Sequence, residues 1–332
     1  MKRIEWIDYS KAIGIILVII GHCYSCFFAD WIYSFHMPLF FMLSGLTFTA
    51  RKSPKEFTVS KTKSLLIPYF LYSILRFMWV CLTDIKQYGF VLENIIQRLL
   101  GIILCIRDSR FSVGLWFLPL LFIAEEVVYC IIKHVRSRKL QALIFIGGGI
   151  ANLIIVSIYP IKLLWGIDII FIVSMFIFIG MILRNVIDNL QKGSNSILII
   201  CALLAINFIS FYFNRKMLGM RVDIYYHHYG NLVLYLLSAT SGAIATMLLS
   251  CKLRNRKVLL YIGRSTLHIY CLHHIFIDLI QILIGKMNLP SLFFDNQIII
   301  TAINMIILVV CLFICMACIT IARKTKSIET NV

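Results

Sequence analysis

The sequence predicts an all-α integral membrane protein, a polytopic bundle of about ten transmembrane helices with both termini on the cytoplasmic side. Hydrophobic residues make up 61% of the 332 positions and the mean hydropathy is +0.91, whereas soluble domains contain roughly 45–50% apolar residues. Apolar runs approaching the roughly 20 residues that a spanning helix requires recur along the whole chain. Lys and Arg gather in alternate connections between those runs, the pattern that holds cytoplasmic loops inside.

Taken in order, the expected spans are residues 9–27, 32–49, 64–83, 112–132, 140–158, 163–183, 196–213, 229–250, 258–283 and 298–322. Span one follows Lys2, Arg3 and Lys11, and the turn into span two carries no basic residue. Five basic residues in 50–63 precede span three, and further clusters at 133–139, 184–194, 251–257 and 323–332 fall in the other inner connections. Inner segments together hold 21 Lys and Arg and outer segments 9, with Arg76 and Arg264 inside spans. An even number of spans agrees with two inner termini. The first run lacks a small-residue cleavage site after it and is read as a retained helix.

The net charge of +17 follows from this topology, so it does not point to nucleic acid; the lipid bilayer is the expected partner. Residues 1–332 read as one transmembrane domain without a soluble appendage. The eleven cysteines are scattered through spans, and the pairs Cys23/Cys26 and Cys315/Cys318 lack the partners that a metal or redox motif needs. They are expected to pack between helices. Of the outer loops, 84–111 contains the apolar stretch Asn94–Leu104, too short to span and so interfacial or re-entrant. Residues 214–229 end in Tyr225-Tyr226-His227-His228-Tyr229, read either as an aromatic belt at the headgroups or as a platform for stacking sugar rings.

An ionisable side chain at bilayer depth is costly and marks function by default. His22 in span one and His36 in span two are two such groups at matching depth, because the turn between them is short and the helices run antiparallel. Lys11 and His22 are eleven positions apart, about 20° from three full turns and about 16 Å of rise, so they share one helix face. Asp8, one turn before Lys11, is a candidate ion-pair partner for it. A neutral imidazole near pH 7 can take a proton from a hydroxyl or carry an acyl group, which suits histidine to acyl transfer. A metal would need a third ligand among His268, His273 and His274; His273 and His274 are expected to point in different directions, and no metal site is expected. Arg76, Glu125 and Glu126 are expected to pair with one another inside the bundle.

The pattern Asp8-x-x-Lys11-x10-His22, followed by His36-Met37-Pro38-Leu39-Phe40-Phe41-Met42-Leu43-Ser44-Gly45, resembles the membrane-bound acyltransferase-3 family, in particular its single-domain sugar O-acetyltransferase branch. Lys61-x-Lys63-x4-Pro68-Tyr69, Leu115-Trp116-Phe117-Leu118-Pro119 and Gly263-x-x-Thr266-Leu267-x-Ile269-Tyr270-x-x-His273 match it in the same order. The resemblance implies an enzyme of a bacterial cytoplasmic membrane that carries an acyl group, usually acetyl, from acyl-CoA to a hydroxyl of a surface glycan or its lipid-linked precursor. It implies no permanently bound cofactor, with acetyl-CoA as the donor substrate, and is compatible with a homo-oligomer. Lys11 and His22 fill a motif in which Arg is commoner at the first position, so Lys11 keeps the charge without the planar fork. Lys61 and Lys63, with Lys11, would neutralise the donor phosphates. His22 would be the base or the acyl carrier, His36 or Thr266 would orient it, and Ser44 and His273 would support the site. A glycan or lipid transporter is the rival reading, since it too needs intramembrane polar residues. Against it, the sequence shows no inverted repeat of the kind many transporters have.

Overall fold

The backbone of a chain in hydrocarbon must satisfy its own hydrogen bonds, which leaves helices as the natural element for this sequence. The computed structural model describes residues 4–23, 27–107, 114–193, 195–286, 306–307 and 309–320, and among them there are helices and turns but no strand. In order they are α1 (Glu5–Cys23), α2 (Phe27–Tyr33), α3 (His36–Thr47), α4 (Pro54–Lys61), α5 (Ile67–Tyr88), α6 (Leu92–Leu104), α7 (Phe117–His134), α8 (Arg138–Ala142), α9 (Gly148–Ile158), α10 (Ile170–Leu190), α11 (Ser196–Leu218), α12 (Leu232–Cys251), α13 (Lys257–Arg264) and α14 (Thr266–Lys286). A further helix covers Val309–Thr320.

Seven helical stretches among the described residues are long and apolar enough to cross a membrane: Glu5–Cys23, Pro54–Lys86, Arg138–Ile158, Leu164–Leu190, Ser196–Leu218, Leu232–Cys251 and Thr266–Leu283. The protein is therefore an all-helical, multi-pass membrane bundle. Several expected elements have different bounds, each for a local reason. Residues 32–49 divide into the end of α2 and the twelve-residue α3; Pro38 is tolerated because it lies in the first turn of α3, where amide protons have no intrahelical acceptor. The helix expected at 64 starts at Pro54. Ser53 caps it in a reciprocal box with Glu56 and proline occupies the first turn, a strong start signal. It passes Pro68 through a π turn, Thr62–Leu66, which takes up the backbone mismatch that proline causes. Residues 258–283 break at Ser265 into α13 and α14. The span expected over 298–322 is described only at Ile306, Ile307 and Val309–Thr320; its other residues lie outside the described set. The amphipathic segment Asn94–Leu104 falls within α6, with Leu99, Leu100 and Ile103 outward and Gly101 and Ile102 buried.

Two close approaches set how the helices pack. Gly45 of α3 and Gly180 of α10 face each other: a Cβ on Gly45 would overlap the Ile177 carbonyl, and one on Gly180 the Met42 carbonyl. Gly263 of α13 meets the Asp8 carbonyl of α1 in the same way. Without water to drive apolar burial, such backbone contacts between small residues are what hold membrane helices together.

Candidate active site

The fold presents two helical stripes to each other. On α1, Lys11, Ile15, Val18 and His22 stand three or four positions apart and all line cavity space, as one helix face should. Across from them, Gly263, Thr266, Tyr270, His274 and Asp278 repeat that spacing through the end of α13 and along α14. Between the stripes lie two cavities. One, of about 280 Å³, has mostly apolar walls with Lys11, Ser44, Thr47, Arg264 and Thr266 as its polar groups. The other, of about 490 Å³, holds His22, His36, Arg76, Arg221, Asp223 and Asp278 together with Trp116 and four tyrosines. They share Val18, Met37 and Tyr270, so the Lys11 cavity and the His22 cavity meet near the middle of the bundle.

His22 Nδ1 lies 2.7 Å from the Val18 carbonyl. A carbonyl can only accept, so Nδ1 carries the proton and Nε2 keeps its lone pair. The buried His36 is held in the same manner, with Nδ1 3.0 Å from the Ile32 carbonyl. The two rings both pack on Tyr33, whose centroid is 6.2 Å from that of His22 and 4.8 Å from that of His36. Asp8 is buried and its carboxylate lies 3.5 Å from Arg264, a partner contributed by α13. Thr266 Oγ1 donates to the Gly263 carbonyl at 2.8 Å, bracing the helix break from within the Lys11 cavity. Ser44 Oγ donates to Glu125, and Lys61 Nζ sits 2.6 Å from the other oxygen of that carboxylate. Lys63 is exposed, and neither Lys61 nor Lys63 is among the lining residues of the two cavities.

Two expectations about charged and titratable groups are corrected. Arg76, Glu125 and Glu126 do not pair with one another: Arg76 is bound to Asp278 at 2.6 Å, Glu125 to Lys61 and Ser44, and Glu126 accepts from Thr58 at 3.1 Å. Each finds the nearest polar group on the helix that packs beside it, and those neighbours are set by tertiary packing. His273 and His274 do not diverge either. Their centroids are 4.2 Å apart and lie 5.1 and 4.5 Å from His22. Adjacent residues on a helix are 100° apart, but long χ2-rotating rings can still turn toward a common neighbour lying between the two directions. His268 is separate and bonds Tyr72 at 2.7 Å.

The mouth of the His22 cavity is built by the 219–231 connection. It turns at Gly219 and His227, both with positive φ, and places Tyr225 and Tyr226 on the cavity wall. Lys162 lies 4.8 and 4.5 Å from those two ring centroids and Arg221 lies 4.0 Å from that of Tyr33. Asp223 is buried beside Arg221 at 3.4 Å. Burial pushes its carboxyl above the usual carboxylate range, with Arg221 pulling the other way. Behind the wall, buried Arg107, Asp168 and His227 form a closed polar cluster, His227 Nε2 being 2.7 Å from Asp168 and 2.8 Å from Arg107. Arg107 also donates to the Ile224 carbonyl at 3.1 Å, which ties the connection to the bundle.

Arg264, Tyr270, Tyr33 and His274 were not singled out from the sequence as site residues. A signal for two of them existed: the spacing Gly263-x2-Thr266-x3-Tyr270-x3-His274 selects His274, not His273, as the cavity-lining histidine. Arg264 and Tyr33 each sit at a helix end, where no periodicity assigns a direction.

Together these elements enclose a buried, polar, histidine-lined site inside a multi-pass helical membrane bundle. A family model described as acyltransferase domain matches residues 4–322, and the chain belongs to this acyltransferase-3 family and is a membrane acyltransferase. No curated protein and no solved structure matches it.

Proposed function

We propose that the protein transfers an acetyl group from cytoplasmic acetyl-CoA to a hydroxyl of a cell-surface glycan or its lipid-linked precursor, in a bacterial cytoplasmic membrane crossed ten times with both termini inside. The observation that carries this is the meeting of the two cavities beside His22. The Lys11 cavity is narrow and mostly apolar with cations at one end, which suits a pantetheine arm whose phosphates stay outside with Lys11, Arg264, Lys61 and Lys63. The His22 cavity is wider, polar and lined with aromatic rings, which suits a sugar.

In this reading His22 Nε2 takes the proton of the acceptor hydroxyl as its oxygen attacks the thioester carbonyl. The C–S bond breaks and the imidazolium returns the proton to the leaving thiolate, giving the ester and CoA thiol. A stepwise variant passes the acetyl through Nε2 first. His36, reached through Tyr33, fixes the ring stack beside the base; Ser44 ties α3 to α7, and Thr266 braces the break before α14, which packs on α1.

The test uses purified protein in detergent or proteoliposomes. Calorimetry at low salt should show acetyl-CoA binding, weakened by salt because the phosphate contacts are partly solvated. Lys61→Ala and Lys63→Ala should each raise the dissociation constant, and the double variant more. His22→Ala should keep donor binding and membrane level but lose radiolabel transfer from acetyl-CoA to extracted glycan. Absence of donor binding by folded protein, or full ester formation by His22→Ala, overturns the reading; a transporter would move glycan without consuming acetyl-CoA.

A further inference from the structure

The most unusual grouping in the bundle is the convergence of His22, His273 and His274, whose ligand-capable nitrogens all lie within 4.8 Å of one another. Two of the three are already oriented as metal ligands are. His22 Nδ1 donates to the Val18 carbonyl and His273 Nδ1 to the Tyr270 carbonyl at 2.6 Å, so each points an unprotonated Nε2 away from its own backbone. Metal-bound histidines nearly always have the other ring nitrogen tied to a carbonyl or carboxylate in this way. The Nε2 of His273 is buried and has no hydrogen-bond partner among the described residues, a condition that costs free energy as it stands and that a metal–nitrogen bond would relieve.

We infer that this triad binds one divalent transition-metal ion of the Zn²⁺, Co²⁺ or Ni²⁺ class, and that the bound ion inhibits acyl transfer by occupying the lone pair of His22. Three imidazoles and no carboxylate in the set select such borderline ions over Mg²⁺ and Ca²⁺, which demand oxygen ligands. With zinc–nitrogen bonds of about 2.0–2.1 Å, tetrahedral ligands sit roughly 3.4 Å apart, so the rings need to close by on the order of 1 Å, a small rotamer adjustment. His22 and His274 line the larger cavity, which gives the ion a route in and leaves its fourth position open to water. Asp278, one turn after His274 in that cavity, is taken up by Arg76 and Trp79 at 2.6 and 3.2 Å and so stays outside the ligand set. Inhibition rests on the reading of His22 as the base; metal binding does not.

The experiment uses the full chain, purified in detergent and stripped with chelator, with no acyl donor present. Zn²⁺ added to it should bind at one ion per chain by calorimetry, and Co²⁺ should show the visible absorption of a nitrogen-ligated tetrahedral site. His273→Ala and His274→Ala should each raise the Zn²⁺ dissociation constant tenfold or more, and His274→Gln should do so with the least change in volume. Variants are compared only where helical circular dichroism and elution remain those of the parent chain. Added Zn²⁺ should then abolish acetyl transfer with a midpoint at its dissociation constant, reversed by chelator. No stoichiometric binding, or binding unchanged in all three variants, overturns the site. Binding with transfer unaffected overturns the inhibitory role. Loss of acetyl-CoA binding would sink the acyltransfer reading while leaving the metal titration intact.

Discussion

Gly45 shows what a single residue decides here. It follows Ser44, whose hydroxyl is bound to Glu125, and it lets α3 touch the backbone of α10 at Ile177. In an exposed helix, Gly→Ala gains roughly 1 kcal/mol from backbone entropy. At Gly45 the added methyl meets a carbonyl that cannot move without displacing α10, and overpacking of this sort costs about 1–3 kcal/mol. Gly45→Ala should therefore lower the thermal midpoint of the purified protein in detergent. Gly147→Ala, where the only near atom is the end of the Leu143 side chain at 3.6 Å, should leave it unchanged or raise it. An unchanged midpoint for Gly45→Ala would mean that the α3–α10 contact is looser than described. His22 and His36 illustrate the same scale from the chemical side: each ring is fixed by one hydrogen bond to the carbonyl four residues earlier, so the tautomer of His22 is set within α1 and that of His36 by the end of α2.

At the scale of elements, the connection between α11 and α12 forms part of the cavity wall, and the Arg107–Asp168–His227 cluster ties it to the bundle. Asp168 also accepts from the Leu163 amide at 2.9 Å, so one carboxylate links the 3₁₀ turn before α10 to the far loop. Removing one partner of a buried ion pair leaves an uncompensated charge and costs about 3–5 kcal/mol. Asp168→Asn should depress the thermal midpoint by several degrees and make residues 219–231 the first site of limited proteolysis. Proteolysis first at another connection would show that the cluster does not hold this one. The facing stripes of α1 and α14 belong to this scale too. Neither is polar enough to be noticed alone, and the cavity exists because they oppose each other.

At the scale of the whole molecule, the distribution of Lys and Arg predicts orientation. Reporter fusions after residues 55, 136 and 255 should read cytoplasmic, and fusions near 88 and 220 external. An external reading at 136 would break the ten-span arrangement and place the Lys11 cavity on the wrong side for a cytoplasmic donor. That the chain is a multi-pass helical bundle was legible in the sequence, because a bilayer imposes one rule on every span: about 20 apolar residues with charges at the ends. The bounds that were misread lie where other signals compete with hydropathy. The capping box at Ser53 and Glu56 carries helix through a basic, polar segment, and Ser265 interrupts a run that hydropathy alone treats as continuous.

The sequence by itself determined that the chain is a helical membrane protein, that Lys11 and His22 share a face of the first helix, and that its motifs are those of an acyltransferase; all three depend on local spacing, hydropathy or short patterns. Tertiary structure decided the partners. That Glu125 binds Lys61 and Ser44, that Arg76 binds Asp278, and that His273 and His274 both reach His22 depends on which helices lie side by side. Helix neighbours in a membrane are chosen by close backbone fits such as Gly45 on Ile177 and Gly263 on Asp8, between residues more than a hundred positions apart, and no periodicity within one helix encodes them.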